Sequence, residues 1–309
     1  MRPATEHIEF TPQRLASSVV AVPPIARDDD LAYQVEENAK LIAYLRAGGV
    51  RTLLYGGNAN FYNISFSEYA RLLDMLAEAA GDDMFVIPSV GPAFGTMMDQ
   101  ARILRQKQFA TAMVLPPAFA ATQDGFATGV RHFVEAAGIP AVLYIKHEGQ
   151  ITVDAVARLM DDGLLSAIKY AIVRDDPAQD EYLRLLVDSV DPQRIMSGIG
   201  EQPAIVHLRD FGLGGFTSGC VCVAPKLSMQ MLAALQAGDF AAAERIREIF
   251  QPLEDLRNRI SPIRVLHDAV SAANVARTGP ILPHLSNVSA GELEEIQPAA
   301  IALRKANEG

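Results

Sequence analysis

Two short apolar runs in the middle of the chain each end in a polar residue that a buried strand has little use for. Ile139-Pro140-Ala141-Val142-Leu143 runs into Tyr144, and Leu164-Leu165-Ser166-Ala167-Ile168 runs into Lys169. A lysine closing a buried strand is costly as a cation. Its pKa should fall, and the neutral amine is a nucleophile that can condense with a carbonyl. A tyrosine on the neighbouring strand can move a proton to and from the adduct. Taken singly, each residue also fits an amphipathic side chain at a strand mouth. Their pairing is what points to chemistry. Residues 153–160 between the runs carry a helical pattern, so the stretch reads as strand, helix, strand with the strands parallel. In such units reactive residues sit at the C-terminal ends of the strands.

A second candidate is Gly56-Gly57-Asn58-Ala59-Asn60, between a strand and a helix opened by Ser65-Phe66-Ser67-Glu68, which has the spacing of a capping box. Glycines let backbone N–H groups approach an anion, and a helix start favours negative charge. Gly57 and Asn58 could therefore bind a small carboxylate, and the same residues would serve a plain turn equally well. No G-x-G-x-x-G fingerprint, P-loop or G-x-S-x-G elbow occurs, although Ser197 follows a strand. Lys146 and His147, just past Tyr144, could meet a substrate at the mouth or be solvated loop residues. Glu201, after Gly198-Ile199-Gly200, could face the mouth or cap a helix. The six histidines make no metal-ligand spacing; His132 and His207 fall in helices and read as surface or packing residues. No metal and no cofactor are called for, because an imine is itself an electron sink.

The elements that must hold these residues recur regularly. Strand patterns fall at 17–22, 51–55, 84–90, 110–115, 139–144, 164–169, 194–197 and 214–219. Helical patterns follow at 31–47, 65–80, 96–108, 125–137, 153–160, 179–190, 203–211 and 226–235. A βα unit repeating roughly every thirty residues, eight times, is the signature of an α/β fold of the (β/α)8 TIM-barrel type. An open doubly wound sheet is the other architecture compatible with alternation. Residues 1–17 read as an irregular lead-in and 18–238 as the barrel. Residues 239–309 read as a helical C-terminal extension, with helices at 240–260, 263–276 and 290–305.

Composition narrows the partners. Half of the 309 residues are hydrophobic, enough for a large core, and the net charge of −10 disfavours nucleic acid and anionic membranes. No apolar run approaches the ~20 residues of a membrane span, and residues 1–10 lack an apolar signal core. The two cysteines, Cys220 and Cys222, sit two apart on a strand, which suits small buried residues in a reducing, cytoplasmic setting.

Across residues 18–285 the chain resembles the dihydrodipicolinate synthase / N-acetylneuraminate lyase family of Schiff-base-forming barrels. Ala167-Ile168-Lys169 resembles the strand-six motif whose lysine condenses with a 2-oxo acid, and Leu143-Tyr144 the strand-five tyrosine that shuttles protons. Gly56-Gly57-Asn58-Ala59-Asn60 stands where the family carries its carboxylate loop, Gly-Thr/Ser-Thr-Gly-Glu. Gly214-Gly215-Phe216-Thr217-Ser218 stands where the backbone around Thr217 walls the pocket. Ala237-Gly238-Asp239-Phe240 and Pro262-Ile263-Arg264-Val265-Leu266 are similar to recurring stretches of the family's C-terminal helices. The resemblance implies a lyase or aldolase acting on pyruvate or another small-molecule 2-oxo acid, and a homo-oligomer, dimeric or tetrameric. Two strand exits depart from the pattern. Pro116-Pro117-Ala118-Phe119 replaces a Pro-Tyr-Tyr run, and Ile145-Lys146-His147-Glu148 replaces Asn-x-Pro and an arginine-bearing segment. An efficient dihydrodipicolinate synthase is therefore not expected. The alternative from another class is a barrel that binds a 2-oxo acid without turnover, in a regulatory or assembly role.

Overall fold

The computed structural model describes residues 9–309. Eight parallel strands close into a barrel in chain order: β1 (Val20–Ala21), β2 (Thr52–Tyr55), β3 (Phe85–Val90), β4 (Ala112–Val114), β5 (Ala141–Ile145), β6 (Leu165–Tyr170), β7 (Ile195–Ser197) and β8 (Gly215–Ser218). The ring closes where β1 pairs with β8, Val20 opposite Thr217. Every strand residue is buried, because helices cover the outer face and side chains fill the inner one. The alternating elements thus resolve into closure rather than an open sheet.

The helices are α1 (Pro12–Ala16), α2 (Val35–Ala47), α3 (Phe66–Ala80), α4 (Phe94–Leu104), α5 (Gln123–Ala137), α6 (Val153–Asp161), α7 (Glu181–Ser189), α8 (Glu201–Asp210) and α9 (Pro225–Gln236). Beyond the barrel follow α10 (Phe240–Arg259), α11 (Pro262–Ala272) and α12 (Ala290–Ala306). Several boundaries differ from the sequence pattern for local reasons. The lead-in is not wholly irregular: Thr11 caps α1 through a bond from the Arg14 N–H. Residues 1–8 lie outside those described. Helix α2 starts at Val35, not at 31, because Asp28 accepts the N–H groups of Asp30 and Ala32 and Leu31 takes a positive φ. Ser65 does cap α3, accepting from the Glu68 N–H. Helix α11 stops at Ala272 rather than 276, where Val275 N–H turns back to Val270 and Asn274 is left-handed.

Register decides which residues meet. Tyr144 lies opposite Lys169, and Lys169 opposite Met196. Met196 in turn lies opposite Gly215, two residues before Thr217. Cross-strand partners share a face and alternation returns to it every second residue. Tyr144, Lys169, Met196 and Thr217 therefore line one face. Helix α10 packs along α8, α9 and α12 and reaches the exits of β7 and β8.

Candidate active site

Lys169 and Tyr144 come together as their types and register require. The Lys169 ammonium nitrogen lies 4.2 Å from the centre of the Tyr144 ring, and the lysine is 6 % exposed. Burial lowers its pKa to about 7, helped by the positive charges of Lys146 and Arg257. Burial also raises the Tyr144 phenol, with a further push from Tyr62. Near neutral pH the pair is thus an amine with a substantial neutral fraction beside a protonated phenol.

The exit of β2 forms the loop expected to hold an anion. Residues Gly57–Ala59 make a single 3-10 turn, and Asn60 closes it in the left-handed conformation that asparagine tolerates. Among the described residues no protein acceptor meets the N–H groups of Gly57 or Asn58. The Asn58 side chain is tied instead to β1, donating to the Val22 carbonyl at 3.1 Å. Asn60 donates to Leu282 O and accepts from Asn63, so it shapes the loop rather than facing substrate. Behind the loop, Arg27, His267, Ile281 and Leu282 leave a cavity of about 10 Å³, room for one water and not for a substrate. Tyr62 stands on the same segment with its ring 3.7 Å from where a Gly57 side chain would begin; burial raises its phenol to about 12. Sequence reasoning passed over this second phenol, although it lies within six residues of the glycines.

Lys146 and His147 are both exposed at the exit of β5. Lys146 leans close enough for its charge to bear on Lys169. Their loop is held by Gln150, another residue not singled out: it donates to Tyr144 O at 2.6 Å and accepts from the Lys146 N–H at 3.0 Å. Tyr144 is thereby fixed at its backbone.

The exits of β7 and β8 are different. Thr217 is buried on the lysine's face, as register requires. Glu201 is fully buried, hydrogen-bonded by Ser228, and neither lines an open mouth nor caps a helix with its side chain. That cap is supplied by Glu254 of α10, which accepts the N–H groups of Glu201 at 3.1 Å and Gln202 at 3.0 Å. Arg257, one turn on, lies 3.6 Å from Glu254. His132 is a surface residue. His207 is a packing residue, its Nδ1 2.8 Å from Ser197 Oγ with both side chains buried, so this pair has no route to a substrate. Cys220 and Cys222 are free and buried, on a 3-10 turn after β8 rather than on the strand itself.

The model of the dihydrodipicolinate synthetase family matches residues 16–300. A probable 5-dehydro-4-deoxyglucarate dehydratase of Streptomyces coelicolor is 23 % identical over 287 residues, covering 90 % of this chain and 87 % of the relative. Among solved structures, a dihydrodipicolinate synthase from Bacillus clausii superposes with a TM-score of 0.83 at 22 % identity, covering 96 % of this chain and 99 % of the other. A Ruminococcus gnavus sialic acid aldolase, solved as a catalytic lysine mutant, also gives 0.83 at 16 % identity, covering 96 % and 98 %. At these identities the structural likeness establishes the fold.

Proposed function

Because this chain belongs to the dihydrodipicolinate synthetase family, whose members are lyases of the class I aldolase type, we propose that Lys169 forms an imine with a 2-oxo acid. The observation that carries the reading is the buried amine, held near neutrality, against the ring of Tyr144. The neutral amine adds to the 2-oxo carbon, and loss of water gives the imine. Once protonated, the imine withdraws electrons and acidifies the neighbouring carbon. Its positive charge also lowers the pKa of the adjacent Tyr144 phenol, which can then take that proton and return it. Departure of a group from the next carbon, followed by hydrolysis of the imine, restores Lys169. Family membership favours turnover over the non-catalytic binding barrel.

For the substrate class, the Streptomyces coelicolor relative's name points to an oxo derivative of a deoxysugar diacid, with water as the leaving group. The free N–H groups of Gly57 and Asn58 suit the carboxylate next to the oxo group. Backbone at Thr217 walls the pocket, and Lys146 and His147 stand where a distal carboxylate or hydroxyl would lie. The synthase reading is disfavoured by the strand-four exit, Pro116-Pro117-Ala118-Phe119, which offers no hydroxyl. It is disfavoured too by a point-charge lysine where a bidentate cation would grip a second acid. We also infer a homo-oligomer, supported by Phe119 and Val173, 75 % and 76 % exposed on the exit loops of β4 and β6. Two unbridged cysteines support a reducing, cytoplasmic setting.

The test is to incubate the protein with pyruvate, 5-dehydro-4-deoxyglucarate and a panel of other 2-oxo acids, reduce with borohydride, and weigh the peptides. Ligand mass on the Lys169 peptide is expected, with turnover of the diacid. Label on another lysine, or none across the panel, overturns the mechanism. With pyruvate and aspartate semialdehyde, kcat/KM should stay below about 10⁴ M⁻¹s⁻¹, the low end for ordinary enzymes; a higher value restores the synthase assignment.

A further inference from the structure

We propose that Tyr62 is a substrate-binding residue: its ring stands against Gly57, and its hydroxyl donates to the carboxylate next to the oxo group, supplying the side-chain donor that the β2 exit loop lacks. The inference rests on the imine chemistry and the carboxylate site proposed above, and it adds to them a polar contact that no side chain of the loop itself is free to make.

The loop offers backbone and little else. Gly57 and Ala59 carry no polar side chain. The amides of Asn58 and Asn60 are tied to Val22 O and Leu282 O, at 3.1 and 2.9 Å. The chain then enters a second 3-10 turn, Phe61–Asn63, with Tyr62 at its centre. That turn is held at both ends. The Phe61 N–H donates to Gly56 O at 3.1 Å. Asn63 donates from its backbone to Asn60 O at 3.0 Å and from its amide to Asn60 Oδ1 at 2.7 Å. Phe61 is buried edge-on to the Tyr69 ring, their centres 6.3 Å apart. On this fixed base the Tyr62 Cε2 lies 3.7 Å from the point where a Gly57 side chain would begin, ordinary van der Waals contact. The hydroxyl is carried by the ring atom next to that carbon. It therefore lies beside a ligand resting on the N–H groups of Gly57 and Asn58.

The hydroxyl is uncommitted. Tyr44, Tyr69, Tyr170 and Tyr182 donate theirs to Val223 O, Ser89 O, Asp180 and Ile151 O. Among the described residues no protein group meets that of Tyr62, although the ring is half-buried and packed on the core. A partly desolvated phenol without a partner gains nothing over phenylalanine in the ligand-free protein. A carboxylate at the loop reverses that balance, because a hydrogen bond to an ionised acceptor is one of the stronger kinds. Burial raises the phenol to about 12, so near neutral pH it carries the hydrogen it would donate. Tyr62 also stands close enough for its charge to bear on Tyr144, whose ring centre is 4.2 Å from the Lys169 nitrogen. The series Lys169, Tyr144, Tyr62, Gly57 thus leads from the nucleophile to the loop. A 2-oxo acid fits along it, since its carboxylate is bonded to the carbon that Lys169 attacks.

The test is borohydride trapping on the full chain over a range of ligand concentrations, weighing the Lys169 peptide. The ligands are pyruvate, 5-dehydro-4-deoxyglucarate and methyl pyruvate, an ester without the carboxylate charge. Tyr62→Phe keeps the ring and removes only the hydroxyl. With the two acids its half-saturating concentration should rise about tenfold or more, the worth of a hydrogen bond to a charged group. The labelling rate at saturation should hold, and with methyl pyruvate the variant and the natural protein should behave alike. Gly57→Ser added to Tyr62→Phe returns a hydroxyl to the loop, where a side chain would begin 3.7 Å from its nearest neighbour. It should recover part of the lost affinity for the acids. An unchanged half-saturation for the acids, or an equal loss with the ester, overturns the proposal and leaves Tyr62 a packing residue. A fall in the saturated rate alone also overturns it and assigns the hydroxyl to proton transfer. No label on Lys169 of the natural protein with either acid overturns instead the imine reading on which the proposal stands.

Discussion

At the C-terminal end of the barrel, the exits of β4 to β6 and those of β7 and β8 are built on opposite plans. The first group opens into loops: Phe119 and Val173 stand largely in solvent, and Lys146 and His147 are exposed. The second is closed by α10, which sets Glu254 and Arg257 beside Glu201 and Ser228 with almost no access to water. The same strand ends thus offer two electrical environments. The exposed Lys146 and His147 on the open side are screened and can change with little effect on folding. Charges on the closed side act at full strength, and each needs its partners. Lys169 stands between them.

The contrast can be broken first at Lys169 itself. Lys169→Met should lower turnover by about 10⁴-fold or more, since the nucleophile is gone. The same change should stabilise the fold. With a folded pKa of about 7 against 10.5 in the unfolded chain, the unfolded state binds a proton that the native state resists. Native stability therefore falls as pH drops from 10.5 to 7, and removing the amine should return roughly 2–4 kcal/mol at neutral pH. Denaturant titration reads the gain; a loss of stability would mean that the amine is satisfied where it lies. Next comes Tyr144→Phe, which keeps the ring and should slow turnover by about 10²–10⁴-fold while borohydride still traps the imine. An unchanged rate, with chemistry shown to be rate-limiting, would assign Tyr144 to packing.

A third test sharpens the closed side. Burial lowers His207 to about 4, against the opposing pull of Asp180. Between pH 6.5 and 4 the unfolded chain takes up a proton that the native chain refuses. Stability should fall across that window by up to on the order of 3 kcal/mol. His207→Asn should flatten this slope, read from melting curves at several pH values; an equally steep slope would locate the acid sensitivity elsewhere. The smallest effect belongs to the open rim. Phe119→Ala should leave imine trapping intact and change the stability of the separated subunit by less than about 0.5 kcal/mol. The melting temperature should drop only through the weakened assembly; an unchanged value at every protein concentration would show that the ring is uncovered in solution.

The two sides also differ in how far the sequence reveals them. Lys169 and Tyr144 were legible because each ends an apolar run where a polar group has a high desolvation cost, and because eight such runs at even spacing imply a closed parallel barrel. Gly57 and Asn58 were legible as a turn, but the bond from Asn58 to Val22 crosses between strands and leaves no local trace. Glu254 and Arg257 were not legible at all. Acid and base three apart on a long polar helix look like an ordinary solvated pair, and only the packing of α10 on α8 and α9 shows them buried. Gln150 was hidden for a similar reason: a glutamine in a loop has no pattern until the loop closes on it. The start of α2 was misplaced because Asp28 offers the backbone a turn that competes with the helix.

The pairing of β1 with β8 has a consequence in time. Val20 emerges from the ribosome long before its partner Thr217, and α10 follows later still. Until then β1 has an open edge on the side β8 will occupy, and the lumen that buries Lys169 is not sealed. A growing chain therefore carries an ordinary, protonated lysine, as unreactive toward the oxo acids of its surroundings as any surface amine. The buried amine comes into being only when the last strand has closed the ring.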